Sequence, residues 1–493
     1  SSEGNDTINS SLEWSLVETK YKYIENLTLT GTAHINAHGN DLDNTIRGNS
    51  GDNKLYGKDG DDEIYGGEGN DNLNIYGYVQ NEGVNNYLNS GEAIVLAGGG
   101  EDNIYADNFI NVNVSGGEGN DNFNSYNYTQ WASTSVFYGE EGNDYGYLSR
   151  SDNAEFSGGL GEDNFSFENV VSGIVSGGED NDYLYASWGG NISFSGGDGN
   201  DELSSYGNVS SSIDGGEGDD RLTLTFSANN FYNYSQLSEF FERDDNGSFI
   251  NQPVSFLEGG EGNDILKIIG DETGIWNAYE SNIEASGGDG DDTINITDNN
   301  AGVIGRSGQS YGFKQAQIDG GSGQDNISVS GVLNASITTG SGSDTVALTA
   351  QQFRTIEEGN RIKSEDYYGP NGYEQREILY AEVNAITVTD FTAGASGDIV
   401  DYGDLLRNGS TSYDGANPFA GGFLNLEQSG EDTLIKFDKD GKDGSESEGI
   451  TVAILKNVQA SSLVADNFNP NFPPDGSAAV SYTHLTLPTS DLV

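Results

Sequence analysis

Fourteen aspartates in this chain stand at the sixth place of a turn that reads Gly-Gly-x-Gly-x-Asp or a close variant of it. Asp102, Asp121, Asp144, Asp163, Asp182, Asp201 and Asp220 are spaced 19, 23, 19, 19, 19 and 19 residues apart, and Asp325 and Asp344 are again 19 apart. Asp6, Asp62, Asp71, Asp264 and Asp292 complete the set. A short carboxylate is a hard oxygen donor, and glycines that accept φ > 0 let backbone carbonyls turn toward the same point. A fixed period of this length marks a solenoid, in which each repeat is one coil stacked on its neighbours. Stacking places the aspartates along one edge about 4.8 Å apart, the interstrand distance. An ion midway between two turns would lie roughly 2.4 Å from each, which is a Ca²⁺–oxygen distance. The spacing therefore predicts several calcium ions held between coils.

The elements that must position these turns are short strands. Apolar residues fall at the eighth place of each repeat (Ile104, Phe123, Phe165, Leu184, Leu203, Leu222, Leu266, Ile294, Ile327, Val346) and at the eighteenth (Val114, Phe156, Val175, Phe194, Ile213, Ile337). Each set forms a column of side chains inside a narrow core. The expected fold is all-β, a parallel β-roll with Gly/Asp turns followed by a C-terminal β domain. Composition alone would point elsewhere: 34% hydrophobic residues and a net charge of −60 resemble a disordered acidic polymer. Such uncompensated acid repels itself in a compact state, so divalent cations are expected to be part of the fold. The same charge argues against nucleic acid and against anionic membrane surfaces as partners.

The chain has no cysteine, which excludes disulfides and thiolate metal sites. No apolar run approaches the length of a membrane span, and no signal peptide is evident at the start. The opening Ser1-Ser2-Glu3-Gly4-Asn5-Asp6-Thr7-Ile8 matches the repeat from its first place, so the chain reads as part of something longer.

Residues 1–38 read as a β-rich flank. Four nine-residue repeats follow in tandem over 39–74, with Asn44, Asn53, Asp62 and Asp71 at their sixth places. Nine residues are half a coil, which puts Asn44 and Asp62 on one edge and Asn53 and Asp71 on the other. The asparagines predict weak or absent calcium there. From 75 to 349 only one half of each 19-residue coil carries the Gly/Asp turn, giving one calcium-bearing and one calcium-free edge. Asn111, Asn153, Asn191 and Asn334 share the fifteenth place and predict a repeated turn position or an asparagine ladder. Longer spacings after Asp220 mark inserts. Residues 350–380 read as a cap or linker, 381–472 as a β domain, and 473–493 as a tail foreign to the rest, resembling a translated sequencing adapter.

Clean copies of the repeat are Gly116-Gly117-Glu118-Gly119-Asn120-Asp121-Asn122-Phe123 and Gly196-Gly197-Asp198-Gly199-Asn200-Asp201-Glu202-Leu203. They resemble the repeat-in-toxin (RTX, haemolysin-type) calcium-binding family. The resemblance implies that the sixth-place Asp and the carbonyls of the first four places ligate calcium. In other copies it brings in Gly158, Gly159 and Gly161; Gly177 and Gly178; and Gly215, Gly216 and Gly218. Glu140, Asp180 and Thr339 depart from the glycine pattern and imply weaker turns. The segment Ala385-Ile386-Thr387-Val388-Thr389-Asp390-Phe391 through Gly397-Asp398-Ile399-Val400-Asp401 resembles the C-terminal target domain of type I secreted proteins, as do the blocks beginning at Asp432 and Ile450. That resemblance implies the type I secretion apparatus as a partner and a secreted or cell-surface location.

No catalytic constellation stands out. Gly308-Gln309-Ser310-Tyr311-Gly312 has the spacing of a nucleophile elbow, but the one later histidine is His484, in the foreign tail. Asp438-Lys439-Asp440-Gly441-Lys442-Asp443-Gly444 fails as an EF-hand, because Lys442 occupies a ligand place. Trp188 and Tyr206, on the calcium-free edge, read first as packing and second as a stacking site for sugar rings, which makes a cell-surface polysaccharide a candidate partner. The favoured function is a secreted calcium-binding structural or adhesive module that folds on calcium after export. The alternatives are the export portion of a larger secreted enzyme or toxin, and a polysaccharide-active solenoid enzyme using inserts at 223–258 and 267–286.

Overall fold

The computed structural model describes residues 4–58, 60–76, 92–107, 109–127, 132–226, 254–270, 280–298, 312–358, 362–369, 372–379, 384–444 and 449–477. Most of the inserts, most of the Gly308–Gly312 motif and the tail beyond 477 lie outside them. The described chain winds as a parallel β-roll. Each coil gives one strand to each of two parallel sheets, and neighbouring coils pair strand on strand, with a register shift between Ser281 and Asn282. One sheet runs through Asn103–Asp107, Asn122–Tyr126 and onward to Tyr183–Ser187 and Glu202–Tyr206. The other runs through Asn111–Glu118, Ala132–Glu141 and onward to Asn191–Asp198 and Ser210–Glu217.

Strand alternation explains the core. Every residue named above in the eighth-place and eighteenth-place columns is at most 2% exposed, and along each strand such buried residues alternate with ones that face out. The columns from the two sheets meet edge to face: Phe156 lies 5.5 Å from Phe165 and 4.7 Å from Phe167, near perpendicular to both. Gly146 takes the eighth place in the coil of Phe156, between Phe123 and Phe165 in the column, where a Cβ would stand 2.7 Å from the Phe156 ring and 2.8 Å from that of Phe165. Glycine there makes room for the neighbouring rings. Burying each such ring contributes about 1.5–3 kcal/mol.

The roll extends past the glycine-rich region at both ends. Thr7–Ser10 and Asn26–Leu29 pair in parallel with each other and then with Thr45–Arg47, so residues read as a flank are its opening coils. The eighth-place column continues there without any Gly-Gly turn, as Ile8, Leu27, Ile46 and Ile64. At the far end a helix, Ala350–Glu358, and an antiparallel hairpin, Ile362–Gly369 with Gly372–Leu379, interrupt the winding. Ile386–Val388 and Ile399–Asp401 then resume both sheets. A C-terminal β block closes the roll, with Leu424–Ser429, Asp432–Phe437 and Ile450–Leu455 pairing antiparallel. Among the described residues, no helix is long and apolar enough to cross a membrane.

Candidate metal centre

The sixth-place aspartates form a ladder. In each, the backbone N–H donates to the Oδ1 of the aspartate one coil further on: Asp163 to Asp182 at 2.7 Å, Asp182 to Asp201 at 2.7 Å and Asp201 to Asp220 at 2.8 Å. The inserts do not break it, since Asp220 reaches Asp264, Asp264 reaches Asp292, and Asp292 reaches Asp325 at 2.8–2.9 Å. Twelve rungs (Asp71, Asp102, Asp121, Asp144, Asp163, Asp182, Asp201, Asp220, Asp264, Asp292, Asp325, Asp344) lie along one edge. Asp62 lies on the opposite edge, where its Oδ1 accepts the Asn44 N–H.

One oxygen of each carboxylate is therefore taken by the backbone. The other oxygen, Oδ2, of all twelve is buried and has no hydrogen-bond donor. The carboxylates are 0–3% exposed. Burial is the main reason their acidities shift in the metal-free chain. It pushes Asp121 and Asp163 up to about 8, Asp71, Asp182, Asp220 and Asp325 to about 7, and Asp102, Asp144, Asp264 and Asp344 to about 6. For Asp121, Asp163, Asp220 and Asp325 the rungs above and below add repulsion, and a backbone N–H offsets part of the shift.

The glycines shape the space around that oxygen. A Cβ on the first-place Gly116, Gly158, Gly177, Gly196 or Gly215 would run into the Oδ2 of its own turn's aspartate. At the second place, Gly117, Gly159, Gly178, Gly197 and Gly216 have φ of 110–130°, and a side chain there would strike the second-place carbonyl of the coil before. Fourth-place Gly119, Gly161, Gly199 and Gly218 are hemmed in the same way. Each gap between turns thus holds carboxylate and carbonyl oxygens with no nitrogen or sulfur, a donor set for Ca²⁺ rather than zinc or copper. Among the described residues no three His, Asp or Glu side chains converge; each gap depends on single stacked carboxylates with backbone oxygens completing it. The residues present fit calcium.

The departures are informative. Glu140 (φ 81°), Asp180 (φ 76°) and Lys58 (φ 82°) keep the positive φ of the glycines they replace, at a cost of about 1–2 kcal/mol each. Asn44 and Asn53 use their amides internally. Asn53 Oδ1 accepts the Asn49 N–H at 2.8 Å and its Nδ2 donates to the Ile35 carbonyl at 3.0 Å. Asn44 is tied to Asn40 and Glu25 in the same manner. A second ladder runs the opposite way at the fifth place: Asn120 Oδ1 accepts the Asn143 N–H, and Asn200 Oδ1 the Asp219 N–H.

Two residues that matter here were not marked as part of the ladder by the repeat pattern. Asp398 is its last rung: its Oδ1 accepts the Asp344 N–H at 3.1 Å, as in every other coil. Its Oδ2 is satisfied by the Thr339 hydroxyl and the Thr392 N–H. Asp390 accepts the N–H groups of Thr339 and Gly340. The available signal was Gly397-Asp398-Ile399-Val400, an Asp with an apolar residue two places on, since Val400 pairs with eighth-place Val346. The fifteenth-place asparagines form no continuous ladder: Asn153 donates to the Ser133 carbonyl and Asn111 to Glu92. Trp188 and Tyr206 pack against each other at 4.9 Å.

A family model described as the RTX calcium-binding nonapeptide repeat (4 copies) matches residues 38–73 and 174–192. The first match spans the tandem repeats, and the second contains the turn of Asp182. No curated protein sequence matches the chain.

Proposed function

We propose that this chain, an RTX calcium-binding repeat protein, is a secreted structural or adhesive module whose roll closes only where calcium is plentiful. The observation that carries this reading is the file of twelve buried Oδ2 atoms without a donor. When bound, calcium supplies positive charge between stacked carboxylates that otherwise repel. The chain's own residues do the rest. The second- and fourth-place glycines hold the turn open at positive φ, the first-place glycine leaves room beside the carboxylate, and each Asp N–H fixes the next rung's Oδ1. Asp62, Asp71 and the eleven aspartates from Asp102 to Asp344 would hold the ions, with the turn carbonyls beside them. Low cytosolic calcium leaves such a chain unfolded for export, and external calcium folds it.

The blocks over 381–468 that resemble a type I target domain support an export route through that apparatus. The test fuses residues 381–472 to a slow-folding passenger in a Gram-negative host with a matching type I exporter. Passenger in the medium is the expected result. Passenger retained inside, even after any natural C-terminal end is restored, reduces the domain to a cap of the roll.

A further inference from the structure

Where it runs on from Lys54–Tyr56 through Asn72–Tyr76 and Asn103–Asp107, one sheet presents an outer face unlike the rest of the chain. Its pairing register puts outward places in columns across the strands. Along one column run Asn72, Asn103, Asn122, Tyr145, Asn164 and Tyr183. The next holds Tyr105, Tyr147 and Tyr185 at every second coil, with Asn74 before them and Asn124 and Ser166 between, the two asparagines buried under the neighbouring side chains. Tyr126 adds a ring from the third column, 4.9 Å from Tyr147. Tyr145 and Tyr183 are each 38% exposed.

From this face we infer a binding platform for a neutral, extended β-linked polysaccharide, lying along the roll axis across the strands. Three observations converge. The rings recur at two coil spacings, about 9.6 Å, close to the disaccharide repeat of an extended β-1,4-linked hexose chain, which turns the same sugar face down at every second ring. Aromatic faces take the C–H faces of sugars, and the accessible asparagines of the first column, Asn103, Asn122 and Asn164, offer both donors and acceptors to hydroxyls. Asn124 already donates to Asn122, and the Tyr147 hydroxyl to Glu168 at 2.7 Å, so the platform is held in place before any ligand arrives.

Charge selects the ligand. The chain carries −60 overall and repels polyanions. None of the outward places named is a Lys or Arg that could hold a phosphate or sulfate. Of the acids on this face, Asp107 is engaged with the Tyr126 N–H and Glu168 with Tyr147, while Glu202, next to Tyr183 in the first column, stands exposed and adds to the repulsion of anions. An uncharged polymer remains. The platform ends where the columns pass to Arg221 and Thr223, then Ile265 and Lys267. The inference rests on the calcium-closed roll but not on the export route.

The test is affinity electrophoresis of the full chain in millimolar calcium through gels containing hydroxyethylcellulose, carboxymethylcellulose or dextran, with circular dichroism on the same samples. Retardation by hydroxyethylcellulose alone is expected. Tyr145→Ala with Tyr183→Ala should weaken it about tenfold. The corresponding Phe pair should keep most of it, and Tyr138→Ala on the opposite sheet should change nothing. If the double Ala variant loses its β spectrum, Tyr145→Ala alone takes its place. A folded chain that hydroxyethylcellulose does not retard, equal retardation by all three polymers, or unchanged binding in the folded Ala variants overturns the platform. A chain that stays unfolded in calcium overturns the roll reading, and the platform with it.

Discussion

Removing calcium should unfold this protein at neutral pH, and the size of the effect follows from the ladder. Twelve carboxylate oxygens, one each from Asp71 and the eleven other rungs of the long edge, are buried without a donor. A buried polar atom left unpaired costs about 1–3 kcal/mol, more when it is charged. Twelve such oxygens come to about 12–36 kcal/mol, against the about 5–15 kcal/mol by which a domain is usually stable. The metal-free roll therefore cannot persist with its carboxylates ionised. In the other direction, each independent site stabilises by about 2.7 kcal/mol when free calcium exceeds its Kd a hundredfold, and with eleven gaps between the twelve rungs that is enough to reverse the balance. Far-ultraviolet circular dichroism at pH 8 should show a largely unfolded chain in chelator and a β-rich one in millimolar calcium, with a steep, cooperative titration between. An unchanged β spectrum in chelator at pH 8 would refute the reasoning, since some other group would then have to satisfy those oxygens.

Protons should partly replace calcium. The folded-state acidities lie at about 6–8 for most rungs, above the about 3.9 of an exposed aspartate. Carboxyls whose pKa folding raises contribute stability that is full below pH 4 and is lost as pH rises through 6–8. In chelator the chain should thus show more β-structure at pH 5 than at pH 8; equal spectra count against buried rungs. Asp201→Ala removes a carboxylate shared by two gaps and leaves the Asp182 N–H without its acceptor. Calorimetric titration should show about two fewer ions. Asn53→Ala breaks internal hydrogen bonds and should lower stability by about 1–3 kcal/mol with calcium stoichiometry unchanged; equal losses of calcium in the two variants would contradict the ligand assignment.

The interior of the roll was readable because a stack enforces one rule on every coil. Where Asp163, Asp182, Asp201 and Asp220 recur at 19 residues, the hydrogen bond from each N–H to the next Oδ1 recurs too, and Leu184, Leu203 and Leu222 must fall in one column. The outer faces were less readable. Tyr105, Tyr147 and Tyr185 sit 42 and 38 residues apart in sequence. Only the in-register pairing, which absorbs the extra residues before Asp144, brings them to alternate coils of one face.

The ends escape the rule for a physical reason. An interior rung is satisfied by the coil on either side, but a terminal rung has one neighbour and must find protein donors or acceptors for the rest. Toward the start that need is met by Asn44 and Asn53, whose amides supply donors where a carboxylate would require a cation. At the far end Asp398 keeps the ladder's backbone bond, and Thr339 and Thr392 hold its second oxygen in place of a metal. Thr339, which looks like a damaged copy of the first-place glycine, is fully buried and makes three such bonds with Asp390 and Asp398. At the two ends, unlike at Glu140 and Asp180 within the ladder, the places where the repeat fails are therefore the places where the chain supplies its own closure. That is why a count of Gly-Gly-x-Gly-x-Asp turns finds the ladder's interior and misses its last rung.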